Sequence, residues 1–113
     1  MVALSPAQAL ELWRGAVVAS VRADSPDLSS RQMAVLLTVY LRTPPHTVRG
    51  LADTLNVSKP AITRALDRLS ELGLIRRKPD DTDRRSILVN RTVKGSVFLT
   101  EFAELVTGAA RGN

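Results

Sequence analysis

Between Thr47 and Leu72 two short helical patterns lie back to back, with only Asn56, Val57 and Ser58 to turn the chain between them. Leu51, Ala52 and Leu55 form the inward side of the first helix, expected over Val48 to Leu55. Thr47 is placed to cap it, and Asn56 tolerates the left-handed conformation that a helix end often needs. Ser58 caps the second helix, and Val57 and Ile62 have the spacing of a hydrophobic staple. Ile62, Ala65, Leu66, Leu69 and Leu72 then make a core stripe that Gly73 closes. Two short helices joined by so tight a turn have the layout of a helix-turn-helix, here over about residues 47–73.

A hairpin pattern follows at once, over about residues 74–91: a strand from Leu74 to Lys78, a turn at Pro79 to Asp83, and a returning strand from Arg84 to Asn90. Two further helices precede the pair. Ser5, Pro6 and Gln8 read as cap, first helical residue and capping box for a helix to about Ala23, striped by Leu10, Trp13, Ala16, Val17 and Val21. Ser29 and Gln32 repeat the box for a helix to about Arg42, and Leu28 and Met33 form its staple. Its apolar face is read as Met33, Leu36, Leu37, Tyr40 and Leu41, which Val35 and Val39 widen enough to imply burial on two sides. Thr92 can cap a last helix to about Ala110. The expected architecture is a single winged helix-turn-helix domain over 1–113, mainly α with a small β-hairpin wing. With 44% hydrophobic residues and only 4% aromatic ones, its core must be aliphatic.

Several function classes drop out. The chain has no cysteine, which removes disulfides, thiolate metal sites and thiol switches together. Its longest apolar-looking run, Met33 to Leu41, is far below the ~20 residues that span a bilayer. The first basic residue is Arg14, so the start lacks a charged secretory signal, and a cytoplasmic protein is expected. No paired carboxylate, Ser/His/Asp set or glycine-rich phosphate loop stands at useful spacing, so no enzymatic activity and no cofactor are expected. His46, beside two prolines, reads as a turn residue. Asp80, Asp81, Thr82 and Asp83 lack the glycine and distal glutamate of a calcium loop.

Charge points elsewhere. Sixteen Lys and Arg against eleven Asp and Glu give a net +5, and the location of the cations matters more than their sum. On the second helix of the pair, Pro60, Arg64, Asp67, Arg68 and Glu71 lie opposite Ile62 and Leu66, with Lys59 and Thr63 on the flank. The helix start, with its unpaired backbone N–H groups, Ser58 and Lys59, suits a phosphate. Thr63 and Arg64, one turn on, are placed to reach base edges, while Arg68 suits a phosphate or pairs with Glu71 or Asp67. Asp67 and Glu71 offset part of this charge, and by itself the face also fits an ordinary solvated surface. The hairpin shifts that balance, because Arg76, Arg77 and Lys78 rise on one strand and Arg84 and Arg85 open the other. Such a wing can follow the backbone of double-stranded DNA and set an arginine into the minor groove. Asp83 is expected to pair with Arg85 and aim its guanidinium.

From Leu28 to Gly95 the chain resembles the MarR (multiple antibiotic resistance regulator) family. The resemblance rests on Leu51-Ala52-Asp53-Thr54-Leu55-Asn56-Val57-Ser58-Lys59-Pro60-Ala61-Ile62-Thr63-Arg64, on Leu69-Ser70-Glu71-Leu72-Gly73-Leu74-Ile75, and on Asp83-Arg84-Arg85 with Thr92-Val93-Lys94-Gly95. It implies a homodimeric regulator of transcription that binds pseudo-palindromic operators, usually represses, and in many members responds to a small-molecule effector. It further implies DNA contact from Ser58, Lys59, Pro60, Thr63, Arg64 and Arg68, and minor-groove contact from Arg84 or Arg85 supported by Asp83.

The sequence departs from the family in two places. Arg91 stands before Thr92 where the family usually carries an apolar residue, which either places a cation near the last helix or alters how the wing joins it. After the wing there is room for one helix where the family has two, so a shortened dimer surface is expected and no residue marks an effector pocket. A dimer interface is expected from Leu10, Trp13 and Val17 against Phe98, Phe102, Leu105 and Val106, unless these only complete the monomer core. The alternative function is a winged-helix module for protein association, distinguished by the absence of salt-dependent duplex binding.

Overall fold

The computed structural model describes residues 3–112. Its elements are α1 (Pro6–Arg22), α2 (Ser30–Leu41), α3 (Val48–Leu55), α4 (Lys59–Glu71), β1 (Ile75–Pro79), β2 (Ile87–Arg91) and α5 (Val93–Ala110). The fold is mainly helical with one small antiparallel hairpin, the class read from the sequence. Contacts divide the chain into two compact units, Leu28–Val97 and the segments on either side of it, with the boundary inside α5.

The helix starts follow from local side-chain chemistry. Both capping boxes form: the Ser5 N–H donates to Gln8 Oε1 at 2.8 Å and the Gln8 N–H to Ser5 Oγ at 3.1 Å, and Ser29 and Gln32 repeat this at 2.9 and 3.1 Å. Thr47 Oγ1 accepts the Gly50 N–H at 3.0 Å, and Asn56 ends α3 at φ 55°. Gly73 turns the chain out of α4 at φ 75°, in the left-handed region that a β-carbon penalises.

Within the Leu28–Val97 unit, α2, α3 and α4 pack on one another, and α4 also meets β1. Val35, Leu36, Val39, Leu51, Ile62, Leu66, Leu69 and Leu74 are fully enclosed, with Ala61, Ala65, Ile75 and Val89 closing the core around them. Each enclosed Leu or Ile contributes about 1.5–3 kcal/mol relative to exposure. On α2 the buried side is Val35, Leu36 and Val39, whereas Leu41 is 67% exposed. The enclosed edge is the one that Val35 and Val39 were expected to add beside Leu36, while Leu41 at the far edge of the expected face is left open to solvent.

In the hairpin, Ile75 pairs with Arg91, Arg77 with Val89 and Pro79 with Ile87. An isolated bridge joins Thr47 to Leu88, and the Val89 N–H donates to the His46 carbonyl at 2.8 Å, so the residues ahead of α3 lie beside β2. The returning strand begins at Ile87, three residues later than expected, leaving Arg84 and Arg85 in the turn. Asp80 Oδ1 accepts the Thr82 N–H and hydroxyl at 2.9 and 2.8 Å, and Asp83 Oδ1 accepts the Arg85 N–H at 3.1 Å. These short-range bonds hold the backbone out of the ladder.

In the other unit, Ala16 of α1 is fully buried, and a β-carbon on Gly15 would stand only 3.0 Å from Ala109 Cβ of α5. The outer stripe of α1 remains open: Leu10 is 71% and Trp13 56% exposed. Among the described residues no helix is long and apolar enough to cross a membrane.

Candidate nucleic-acid interface

Helix α4 divides cleanly into two faces. Ala61, Ile62, Ala65, Leu66 and Leu69 are buried, while Lys59, Pro60, Thr63, Arg64, Asp67, Arg68 and Glu71 are exposed. The anchoring of the first face fixes the direction in which the second points. Thr63 and Arg64 lie on it side by side, and among the described residues Arg64 is in no ion pair.

The start of α4 offers fewer donors than expected. Ser58 Oγ accepts the Ala61 N–H at 3.3 Å, the Ile62 N–H reaches the Ser58 carbonyl, and Pro60 has no N–H to give. The Lys59 N–H, the Lys59 ammonium and the proton of the Ser58 hydroxyl remain for an anion.

The charges of the exposed face sort into pairs that sequence spacing only partly indicated. Arg68 and Glu71 approach at 4.0 Å, a loose exposed pair. Asp67 meets Arg77 of β1 at 2.8 Å and so does not offset Arg64. Arg76 and Lys78 on β1, and Arg84 and Arg85 in the turn, are exposed and form no ion pair among the described residues. Asp83 reaches Arg85 through its backbone N–H instead of its guanidinium, so it shapes the turn without holding that side chain. The Thr82 hydroxyl and N–H hold the Asp80 carboxyl below its ordinary value.

One arginine of this region, Arg31, was not assigned to it by pattern reading, and another, Arg91, was expected as a cation where the wing meets the last helix. Arg31, exposed on the first turn of α2, lines one cleft with Arg64, Ala61 and Ala65 of α4. Three positions after a predicted staple residue, it carried a detectable signal only in its charge. Arg91 turns inward to the end of α2, donating to the Val39 and Arg42 carbonyls at 2.8 and 2.9 Å. His46 lies in the turn expected of it, with Nε2 at 3.1 Å from the Arg42 carbonyl.

Residues 27–86 match the family model described as the MarR family. The HTH-type transcriptional regulator PecS of Dickeya dadantii is 30% identical over 79 residues, covering 68% of this chain and 48% of that protein. The chain therefore spans about half the length of this curated relative. A mutant MarR from E. coli, solved in complex with operator DNA, is similar at 28% identity and a TM-score of 0.68, over 86% of this chain and 64% of that one. A mutant MepR of S. aureus shares the fold at 20% identity and a TM-score of 0.77, covering 92% and 74% of the two chains.

Proposed function

The chain belongs to the MarR family of winged-helix regulators, and from that premise we propose that it is a sequence-specific double-stranded DNA-binding repressor acting as a homodimer. Helix α4 enters the major groove, Thr63 and Arg64 read base edges, and Ser58, Lys59, Pro60 and Arg68 meet the backbone. Arg84 or Arg85 at the wing tip enters the adjacent minor groove, with Arg76 and Lys78 along the phosphates and Asp83 shaping the turn. The carrying observation is the pairing of an unneutralised Thr63–Arg64 face with a fully buried Ile62–Leu66 face on one helix. Such a helix presents its readers without freedom to rotate. The solved E. coli MarR bound to operator DNA supports this reading.

Arg31 extends the same surface. It lines a cleft with Arg64 that contains no acidic side chain, and it contacts the phosphate flanking the bases that Arg64 reads. The dimer rests on α1, where Leu10, Trp13 and Val17 are exposed at 71%, 56% and 38%, joined by the half-buried Phe98, Phe102, Leu105 and Val106 of α5.

Selection of bound duplexes from a randomised pool tests the proposal. An enriched motif made of two inverted half-sites, bound with a steep salt dependence, is the expected result. A pool that stays random, with no salt-dependent binding, favours a module for protein association.

A further inference from the structure

We propose that Arg91 and Tyr40 form a clamp that sets the direction of the wing, making both of them positioning residues for DNA binding. This rests on the DNA-binding reading above and adds to it what holds the wing in place. A hairpin of two strands is marginal by itself in water, and among the described residues its strands have no partner in a sheet beyond the bridge at Leu88. Along its length the Val89–His46 bond and the Arg77–Asp67 pair hold it to the helices, and contacts at its base add to these in setting its direction. Ile75 and Arg91 are the paired residues there.

Arg91 supplies a double attachment. Its Nε donates to the Val39 carbonyl at 2.8 Å and its Nη2 to the Arg42 carbonyl at 2.9 Å, bracketing the last turn of α2. Apart from the cap residue Arg42 that turn contains no basic residue, and the Arg91 guanidinium satisfies carbonyls at the helix end and meets the negative end of the helix dipole. The same guanidinium carbon lies 5.8 Å from the centre of the Tyr40 ring. An apolar side chain at this position would provide none of these bonds.

Tyr40 completes the clamp from the other side. Its hydroxyl accepts the Thr92 N–H at 2.8 Å and stands 2.7 Å from the Leu74 carbonyl and 3.1 Å from that of Thr92. Having one proton, it donates to the nearer Leu74. Leu74 precedes β1 and Thr92 follows β2, so one oxygen ties both ends of the hairpin to α2. Gly95 admits this oxygen, since a β-carbon there would overlap Tyr40 Oη and the Leu74 carbonyl oxygen. Five strand residues carry the tip about 17 Å from this base, so a tilt of about 10° displaces it by about 3 Å, the length of a hydrogen bond.

The test uses Arg91→Met, which keeps a long apolar stem, and Tyr40→Phe, which removes only the hydroxyl. Each is measured alone and combined with Arg84→Ala plus Arg85→Ala, on a duplex selected by the wild-type chain, across a series of salt concentrations. Each clamp variant is expected to weaken binding about fivefold to twentyfold and to flatten the salt slope. Removing the tip arginines in a clamp variant is expected to cost less than about twofold more, whereas Arg64→Ala retains its full effect there. Unchanged affinity and slope, or clamp and tip losses that multiply, overturn the clamp. Thermal melting identifies a variant that has lost its fold, and Tyr40→Phe then decides the matter because it keeps the ring. Failure of the wild-type chain to bind any duplex overturns the DNA-binding reading and the clamp with it. Loss in Arg64→Ala alongside neutral clamp variants overturns the clamp only.

Discussion

The Arg77 guanidinium on the wing meets the Asp67 carboxylate on α4 at 2.8 Å, across ten residues of chain. The two groups neutralise each other, so Arg77 is already engaged and, on the proposed docking, has less charge to offer a phosphate. Replacing Arg77 by Ala should therefore flatten the salt slope of binding less than replacing Arg76 or Lys78. Because both partners are partly solvated, Asp67→Asn should change unfolding stability by about 1 kcal/mol or less in urea titrations.

Arg64 and the wing cations should differ in kind. Arg64→Ala is expected to weaken binding to a selected operator by about 1–3 kcal/mol and to relax the preference at the bases it reads. Arg76→Ala and Lys78→Ala should lower affinity almost equally for all duplexes, each reducing the salt slope by about one contact. Binding isotherms on matched and mismatched duplexes separate the two behaviours.

Arg31 provides an independent check on the footprint. Arg31→Gln should reduce the salt slope by about one phosphate without altering which bases are preferred. An unchanged slope would confine the interface to α4 and the wing.

Trp13 tests the assembly. Trp13→Glu places a charge on the open stripe of α1, and sedimentation at micromolar concentration should show the dimer falling to monomer while helical content is kept. A wild-type chain that sediments as a monomer would remove the dimer altogether.

The wing tip has a pH signature. The hydroxyl and N–H of Thr82 stabilise the ionised form of Asp80, so its folded pKa lies below the unfolded one. The ordering this gives is complete above the ordinary aspartate value and is lost as pH falls through the lowered folded one. In a Thr82→Val variant, the Asp80 carboxyl should titrate nearer the ordinary value by NMR. An unchanged titration would show that the Thr82 hydroxyl does not hold the carboxylate in solution.

What could be read in advance was whatever acts over three or four residues. The boxes at Ser5–Gln8 and Ser29–Gln32, the cap at Ser58 and the left-handed Asn56 are local bargains between a side chain and its own backbone, so spacing reveals them. The exposed face of α4 followed from the same periodicity. Contacts closed by the tertiary fold left no such trace. Asp67 finds Arg77 on another element, and Arg91 finds carbonyls 52 and 49 residues away, so the charges were visible and their partners were not. Leu41 satisfied the apolar pattern and still faces solvent, because the packing of α2 on α4 selects a different edge. At the turn, Asp83, matched by charge to the Arg85 side chain, was instead drawn to that residue's backbone N–H.

The bond from Val89 to the His46 carbonyl stitches β2 to the residues that open α3. On the proposed docking, with α4 in one groove and the wing tip in the next, it would make the helix pair and the hairpin a gauge of fixed width. A duplex that keeps every contacted base but is overwound or underwound between them would present its grooves out of step with that gauge. Such a duplex would bind more weakly, and the protein would in this way measure the twist of DNA at positions it does not touch.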